Sequence, residues 1–270
     1  MKALRYLALS MAAVLFLIPF YLVLRNGLAT EQEITAQSWT FWPSEIRWEN
    51  FTTLFSDPAV PIVRSMVNSF VIAVLQTVGQ LLLCGLAGYG LARIPYRYAN
   101  VVLYLVIATL MIPAAVTFVP TFVVVSTLGW VSDLRGLVIP GLFSGFTTFL
   151  FRQYFLNFPR ELEEAARIDG LGPWGTYWRV VVPNSKGFFA ALGVIAFVTS
   201  WNQFLWPLVI AQDQDSWTVQ VALSTFLTAQ SINVQELFLA AAMSITPLVI
   251  VFVALQRFLV RGVAETGIKG

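Results

Sequence analysis

Long stretches without a single charged side chain constrain the fold of this chain more than any other feature. Six of them are long enough to matter, and they lie at 6–24, 69–91, 101–121, 137–151, 188–208 and 237–255. A helix that crosses the hydrocarbon core of a bilayer needs about 20 apolar residues, and charged groups are costly there. Charged residues make up 11% of the chain, whereas soluble proteins carry about 25%. The pattern predicts an all-α integral membrane protein with six transmembrane helices, in a single domain over residues 1–270.

The first and third stretches have less definite limits than the others. The first follows Lys2 and Arg5, as in a signal peptide, but its uncharged run exceeds a usual signal-peptide apolar region, so we expect an uncleaved helix. The third is followed, after Pro120, by a second apolar run at 122–130. We expect that run to lie along the outer membrane surface with Trp130 as its anchor, because Trp is enriched at membrane interfaces.

The basic residues are distributed unevenly between the connecting segments. With the amino terminus inside, four of the 16 Lys and Arg residues are outside: Arg25, Arg47, Arg64 and Arg135. The other 12 are inside: Lys2, Arg5, Arg93, Arg97, Arg152, Arg160, Arg167, Arg179, Lys186, Arg257, Arg261 and Lys269. Because Lys and Arg accumulate in cytoplasmic loops, the sequence predicts that both termini face the cytoplasm.

Several kinds of chemistry are excluded by composition. The chain has no histidine and one cysteine, Cys84, which lies in an apolar run and reads as a packing residue. A Cys/His zinc site and a disulfide framework are therefore ruled out. No G-x-x-x-x-G-K-[ST] motif is present to hold nucleotide phosphates. We expect a chain that is not an enzyme, binds no metal or cofactor itself and has no nucleic-acid partner.

The inner segment 152–187 contains the signals of a short helix outside the membrane. Pro159 suits the first turn of a helix, and Glu161, Glu163 and Glu164 are favourable at the positive end of its dipole. Gly170 supplies a stop, so the helix is predicted over about 160–169.

One face of that predicted helix carries small side chains. Its members are spaced at i, i+3, i+4 and i+7, and they are Leu162, Ala165, Ala166 and Asp169. The face could be an ordinary solvated surface, or it could dock into a groove of a partner protein. The spacing alone leaves both interpretations open.

The same segment resembles the EAA loop of permeases from binding-protein-dependent ABC importers. The resemblance lies in Glu-Ala-Ala-Arg-Ile-Asp-Gly at 164–170, followed by Val182 and Pro183, before the last two apolar stretches. It extends from Asn68 to Gly270 and implies the fold of a type I ABC importer permease in a bacterial inner membrane.

The resemblance also implies that separate subunits carry out ATP hydrolysis and transport. In that family the loop forms a coupling helix that sits in a cleft of an ATPase subunit. The residues that match this coupling motif are Glu164, Ala165, Ala166, Asp169 and Gly170. Glu164 is thereby the expected partner of a basic ATPase residue, while Asp169 and Gly170 turn the chain back to the membrane. The implied partners are a dimer of ATPase subunits that holds ATP and Mg, a second homologous permease, an extracytoplasmic substrate-binding protein and the lipid bilayer.

The outer segment 211–236 is polar and includes Gln212, Gln214 and Gln220. In maltose-type relatives the equivalent loop reaches into the open binding protein and helps to expel substrate. The resemblance implies the same for this segment, and the alternative is a solvated connector.

Polar side chains within the apolar stretches are candidates for the substrate path. They are Trp201, Asn202, Gln203 and Trp206 in the fifth stretch, with Gln76 and Gln80 in the second. Amides in hydrocarbon are costly unless they face protein or water, and they offer donors and acceptors that suit hydroxyl groups. The alternative for each is hydrogen bonding between helices.

Four stretches resemble the glycerol-3-phosphate branch of the carbohydrate permeases. They are 109–113, 148–153, 164–170 and 202–208. No apolar stretch carries an Arg or Lys to meet a phosphate, so either the binding protein recognises the phosphate or the cargo is different. Glycerol-3-phosphate, a glycerophosphodiester and a neutral sugar such as maltose or trehalose stay open.

Two other function classes fit the sequence poorly. An ion-coupled secondary transporter usually holds ionisable residues in the membrane, and the six stretches hold none. An integral membrane enzyme would need a metal cluster, a nucleophile–base pair or paired carboxylates in the membrane, and no such pattern can be found.

Overall fold

The computed structural model describes the backbone of residues 2–227 and 233–267, and these ranges contain helices and turns but no strand. The all-α prediction is therefore confirmed. Residues 228–232 of segment 211–236, and Lys269 and Gly270, lie outside the described residues.

The α-helices are, in chain order, α1 (Lys2–Gly27), α2 (Glu31–Thr35), α3 (Glu49–Ser56), α4 (Ile62–Arg93), α5 (Ala99–Met111), α6 (Ala114–Thr127), α7 (Leu134–Val138), α8 (Gly145–Leu156), α9 (Arg160–Ile168), α10 (Pro173–Thr176), α11 (Val182–Asn184), α12 (Lys186–Trp201), α13 (Leu205–Ile210), α14 (Val219–Thr225) and α15 (Val234–Gly267). Between them lie 3₁₀ turns at Ile139–Gly141 and Gln214–Ser216 and a π turn at Tyr177–Val181.

Four helical stretches are long and apolar enough to cross a membrane, and they are Lys2–Gly27, Ile62–Arg93, Leu134–Leu156 and Val234–Arg257. Two pairs of helices also qualify when each pair is taken as one bent span. These pairs are α5 with α6, bent by 101°, and Pro173–Asn184 with α12, bent by 81°. The described residues therefore hold up to six spans, in agreement with the predicted number.

The third predicted span, 101–121, is wrong as one continuous helix. The chain is broken at Ile112, which is extended with φ −87° and ψ 117° between α5 and α6. The cause is Pro113, because the ring of a proline disfavours the helical conformation of the residue before it. Pro120, after which the sequence placed the break, lies inside α6.

The fifth predicted span, 188–208, is also wrong as one helix, because α12 ends at Trp201 and α13 begins at Leu205. Pro207 has no N–H to donate to the carbonyl of Gln203, so a continuous helix would lose a hydrogen bond there. The Asn202 side chain donates to the Val198 carbonyl at 2.9 Å and so competes with the backbone ladder.

The chain divides into two compact units, of which the first comprises Met1–Asn68 and Trp217–Val249. Within this unit the Asn50 amide donates to the carbonyl of Gly27 at 2.9 Å and of Ala29 at 3.3 Å. These bonds fix the exit of α1 against α3. Trp39 and Trp42 of the same unit are 60% and 69% exposed.

The second unit comprises Ser69–Ser216 and the chain from Ile250 onward. Its buried cluster consists of side chains from α4, α8, the turn before α9, the π turn and α12, namely Cys84, Tyr89, Phe151, Phe155, Phe158, Tyr177, Val181 and Leu192. Cys84 is fully buried in this cluster. The structure therefore agrees with its interpretation as a packing residue.

Close approach of α4 to α8 depends on Gly88. A Cβ at this position would lie 2.5 Å from the Cβ of Phe151 and 2.9 Å from the backbone nitrogen of Arg152. Backbone atoms cannot move aside as a flexible side chain can. A glycine is therefore required where the two helices meet.

We expect Gly88→Ala to destabilise the protein by about 1–3 kcal/mol, the usual cost of overpacking. Gly90→Ala is the matched control, because a Cβ at Gly90 of the same helix meets nothing within 4 Å. Alanine is the better helix former by up to about 1 kcal/mol, so the control should be neutral or stabilising. Thermal unfolding of the purified protein in detergent checks this, and equal melting temperatures for the two variants would contradict it.

Candidate functional site

Segment 152–187 contains the predicted helix, α9, over Arg160–Ile168. Pro159 precedes it with φ −57° and ψ 123°, and Glu161 and Glu163 occupy its first turn. Carboxylates there interact favourably with the unpaired N–H groups of the helix start. The predicted start is confirmed, and the helix is one residue shorter than expected at its end.

Gly170 ends α9 as the sequence predicts. Its φ is +81°, a conformation that costs a residue with a Cβ. The Gly170 N–H donates to the Arg167 carbonyl at 3.0 Å, and the Leu171 N–H donates to the Ala166 carbonyl at 2.9 Å. This pair of bonds is a Schellman motif, which fixes the direction in which the chain leaves the helix.

The exposed surface of α9 differs from the predicted face of Leu162, Ala165, Ala166 and Asp169. Ala166 is only 3% exposed and packs inside, where its small side chain lets the helix lie close to its support. Glu164, Ala165 and Asp169 are exposed as expected. Ile168, which the sequence interpretation left out, is 88% exposed. A large apolar side chain in water suits a contact with another protein.

A buried ion pair attaches α9 to the end of α4. The Arg93 Nε lies 3.4 Å from the Glu163 carboxylate, and the two side chains are 7% and 8% exposed. The Arg93 guanidinium also donates to the carbonyl of Phe158, just before the start of α9. The Arg93 guanidinium therefore contacts both the chain just before the helix, at Phe158, and the first turn of the helix, at Glu163.

Aromatic rings form the support on which segment 152–187 rests. Tyr89 of α4 contacts Phe155 of α8 at 5.6 Å and Tyr177 of the π turn at 5.1 Å between ring centroids. Phe155 and Tyr177 are no more than 1% exposed. Interdigitated rings of this kind have few alternative arrangements, so a displacement of the segment would also move α4 and α8.

Gln76 lies at the centre of the second unit with 1% of its surface exposed. Its amide nitrogen donates to the Leu137 carbonyl at 2.9 Å, and its amide oxygen accepts from the Ser200 hydroxyl at 2.7 Å. The side chain therefore joins α4, α7 and α12, the interhelical arrangement that the sequence left as the alternative to a path-lining role.

Gln80, one turn further along α4, is half-buried. Its amide nitrogen donates to the Gly141 carbonyl at 2.8 Å, and its oxygen accepts from the Thr147 hydroxyl at 3.4 Å. The absence of a Cβ at Gly141 makes room for the neighbouring Gln76, since a Cβ there would lie 2.3 Å from the Gln76 amide nitrogen. Gln76 thus bonds to the end of α7, and Gln80 bonds to the 3₁₀ turn that follows it.

The four residues predicted from the fifth stretch separate into two pairs. Trp201 is 2% exposed and stacks on Phe197, and the indole N–H of Trp206 donates to the Gly136 carbonyl at 3.0 Å. Asn202 is exposed and Gln203 is half-buried, and both lie in the non-helical break between α12 and α13. Irregular backbone at membrane depth is tolerated where it lines a water-filled cavity or is buried in protein.

A serine with unusual backbone geometry fixes the start of segment 211–236. Ser132 has φ +55°, and it is the one residue other than glycine with positive φ in the described ranges. Its N–H donates to the Ile210 carbonyl at 2.8 Å, and its hydroxyl accepts from the backbone N–H groups of Gln212 and Asp213 at 3.0 and 3.1 Å. Strained residues of this kind persist where surrounding contacts determine the conformation.

Next to this serine, Asp133 caps α7 by accepting from the Arg135 N–H. Hydrogen bonds from the side chain and backbone of Arg135 lower the pKa of Asp133 to about 2. The carboxylate is therefore ionised at physiological pH, and the cap persists under these conditions.

Segment 211–236 contains more structure than a polar connector would have. Beyond the 3₁₀ turn Gln214–Ser216, the helix α14 buries Val219, Val221 and Ala222. The Asn68 amide donates to the Trp217 carbonyl at 2.9 Å. Whether this segment enters a binding protein stays a prediction.

In residues 2–227 and 233–267, no group of three or more His, Cys, Asp or Glu side chains is arranged to hold a metal ion. The expectation that the chain binds no metal or cofactor of its own stays a prediction.

Besides Ile168, sequence reasoning missed three residues that the geometry makes prominent. Glu163 was assigned only to the helix dipole, since no pattern links it to Arg93 some 70 residues earlier. Ser200 precedes Trp201 and could have been found as a small polar residue in an apolar stretch. Ser132 carries no signal in the sequence, because positive φ in serine depends on its tertiary contacts.

The comparisons with known proteins agree on the family, although the relatives are named for different substrates. A family model described as "Binding-protein-dependent transport system inner membrane component" matches residues 84–265. The chain is 32% identical over 267 residues to the sn-glycerol-3-phosphate transport system permease protein UgpE of Yersinia pestis bv. Antiqua (strain Antiqua), covering 97% of this chain and 95% of the relative. It is 29% identical over 262 residues to the arabinooligosaccharides transport system permease protein AraQ of Bacillus subtilis (strain 168), covering 96% and 93%.

A solved structure shares the fold. It is a chain in the crystal structure of a bacterial ABC transporter involved in the import of the acidic polysaccharide alginate. The TM-score is 0.83 at 22% sequence identity, over 96% of each chain. The fold expected from the sequence is thereby confirmed.

We expect Glu163→Gln to loosen α9, because it leaves the buried Arg93 guanidinium without a counter-charge, at a cost of about 3–5 kcal/mol. Hydrogen exchange of the α9 amides should rise and the melting temperature should fall. Glu161→Gln is the matched control, since that carboxylate is exposed in the same turn.

The double variant Arg93→Met, Glu163→Met should recover much of the stability, because it removes both charges and keeps similar volumes. Unchanged exchange in Glu163→Gln would show that the ion pair does not hold the helix.

Proposed function

The chain belongs to the family of binding-protein-dependent transport system inner membrane components, and we propose that it carries glycerol-3-phosphate or glycerophosphodiesters through an ABC importer. It is a membrane permease for sugar-type substrates, as its relatives are. ATP hydrolysis by partner subunits is transmitted to it through α9, while the chain itself carries out transport and no hydrolysis.

The observation that carries the coupling role is the arrangement of α9. One side of the helix is fastened by the Arg93–Glu163 pair and the buried Ala166, and the opposite side presents Glu164, Ala165 and Ile168 to a partner. A helix that is fixed on one side and exposed on the other can pass a displacement of the partner to the spans. Glu164 is proposed to pair with a basic residue of the ATPase.

The partners follow from the family. A binding-protein-dependent ABC system contains an ATPase and a substrate-binding protein. We propose in addition a second homologous permease and two ATPase copies that hold ATP and Mg. The proposed orientation places both termini and α9 in the cytoplasm, as the distribution of Lys and Arg supports. Segment 211–236 then lies on the side where the binding protein docks.

The substrate assignment is supported by the relatives named for sn-glycerol-3-phosphate, which match over almost the whole chain. Because the predicted apolar stretches carry no Arg or Lys, phosphate recognition is assigned to the binding protein. The second candidate is a neutral oligosaccharide. It is favoured by the relatives named for arabinooligosaccharides and by the uncharged amides of Asn202 and Gln203. Calorimetric titration of the cognate binding protein with both ligand classes distinguishes the candidates.

We expect Glu164→Ala to lower uptake and binding-protein-stimulated ATP hydrolysis by about tenfold or more, because losing one partner of an interfacial charge pair costs about 2–5 kcal/mol. Gly170→Val should act in the same direction, since a β-branched residue is strained at φ +81°.

Gly172→Val is the matched control, because Gly172 has φ −74° and a Cβ there meets nothing within 4 Å. Proteoliposomes with the complete transporter provide the measurement. Normal stimulated hydrolysis in Glu164→Ala with the complex assembled would exclude the coupling role.

We propose that Asn202 and Gln203 line the substrate path, and we expect Asn202→Leu and Gln203→Leu to reduce uptake by about tenfold while the complex stays assembled. Gln76→Leu serves as the contrast. It removes the hydrogen bonds to Leu137 and Ser200, so it should lower stability and yield. If Asn202→Leu and Gln203→Leu both show wild-type uptake and affinity, these amides have only a structural role.

A further inference from the structure

A cleft rich in arginine lies between α9 and the turn that joins α4 to α5. It has a volume of about 700 Å³. Its charged lining, which we call the arginine cleft, consists of Arg93, Arg97, Arg160, Arg167, Glu163 and Glu164. Glu164 is also the proposed ATPase contact, and Arg93 and Glu163 attach α9 to α4. Arg97, Arg160 and Arg167 have no part in the coupling or path proposals, so their presence in one cleft needs an explanation of its own.

The helix α9 presents charged side chains to the cleft and apolar side chains to its outer surface. Four of the lining residues are spaced at i, i+3, i+4 and i+7 and therefore form one stripe, namely Arg160, Glu163, Glu164 and Arg167. Ala165 and Ile168 lie outside this lining and are exposed. The apolar surface suits a protein partner, whereas the charged stripe suits a polar ligand.

The position of the turn places the cleft at the membrane surface. Only residues 94–98 separate Arg93, the last residue of α4, from Ala99, the first of α5. A connection this short between two membrane helices cannot leave the interface. Tyr96 and Tyr98 are 44% and 58% exposed, and the Arg97 guanidinium lies 5.6 Å from the Tyr98 ring centroid. Exposed Tyr is enriched at the level of lipid headgroups.

The balance of charge favours an anion. Four guanidinium groups face two carboxylates, and one of those carboxylates, on Glu163, is already paired with Arg93. Arg97, Arg160 and Arg167 are exposed and remain to meet a ligand. Guanidinium groups bind phosphate through two parallel hydrogen bonds, which makes Arg well suited to phosphate recognition.

We propose that the arginine cleft binds the phosphate of an anionic phospholipid headgroup. Basic pockets beside membrane helices on the cytoplasmic side are suited to such headgroups, and anionic lipids give the inner leaflet its negative potential. A bound headgroup would lie between the α4–α5 turn and α9, bracing the helix against the membrane. This binding depends on the membrane fold and not on the transported substrate.

The test uses the assembled transporter with its partner subunits, in nanodiscs of phosphatidylcholine with or without phosphatidylglycerol. Native mass spectrometry counts the phosphatidylglycerol molecules retained on the complex. The double variant Arg97→Gln, Arg167→Gln should weaken retention of one molecule by about tenfold, the loss expected for charge-assisted hydrogen bonds.

Arg179→Gln is the matched control, because Arg179 is exposed on the same segment but does not line the cleft. It should retain phosphatidylglycerol as the unchanged protein does. The variant Arg97→Lys, Arg167→Lys should recover part of the retention, since it restores charge without the guanidinium fork. Equal retention in the Gln double variant and the Arg179 control would overturn the proposal.

Two further outcomes would assign the cleft to another ligand. Inorganic phosphate at millimolar concentration should leave the retained phosphatidylglycerol in place. If it displaces the lipid and binds with the same dependence on Arg97 and Arg167, the site is one for soluble phosphate. If the lipid is retained by the chain alone but not by the assembled transporter, the cleft is a contact surface for the ATPase.

Discussion

An amide buried between apolar helices has to complete its hydrogen bonds within the protein, because hydrocarbon offers none. Gln76 meets this requirement with the Leu137 carbonyl and the Ser200 hydroxyl. Leu137 can offer a carbonyl because the chain between α7 and α8 is irregular and its backbone groups are not all used in a helix. The polar side chain and the backbone carbonyl therefore satisfy each other's hydrogen bonds, and this fixes the packing of α7 and α12 against α4.

The same helix extends from that polar centre to the candidate coupling site. From Gln76 to Arg93 the helix is continuous, a distance of about 25 Å at 1.5 Å per residue. At its end, Arg93 binds Glu163 and the carbonyl of Phe158. A rigid element with a buried contact at each end is suited to transmit displacement, because packed interfaces shift between discrete arrangements and do not deform gradually.

The sequence was sufficient for features that depend on local physics. Apolar length gave the largest number of spans that the structure allows, although two of them are bent pairs of helices. Pro159 and Gly170 located α9 to within one residue, because caps and dipoles act within a turn. The sequence was insufficient where contacts between residues distant in the chain determine the structure. Pro113 breaks the third apolar stretch whereas α6 accommodates Pro120, and the sequence alone did not distinguish the two prolines. The partner of Glu163 and the positive φ of Ser132 arise from residues distant in sequence, which spacing does not reveal.

The interruptions in the spans also explain why path residues are difficult to read from composition. A glutamine in an unbroken helix, such as Gln76, is available to neighbouring helices and becomes buried. Asn202 and Gln203 lie where Pro207 prevents the helix from continuing. Backbone and side-chain polar groups are therefore concentrated in the short break between α12 and α13. Such a concentration is tolerated at membrane depth only beside water or protein. The path-lining role proposed for Asn202 and Gln203 therefore rests on the combination of amides with a helix-breaking proline, and not on the amides alone.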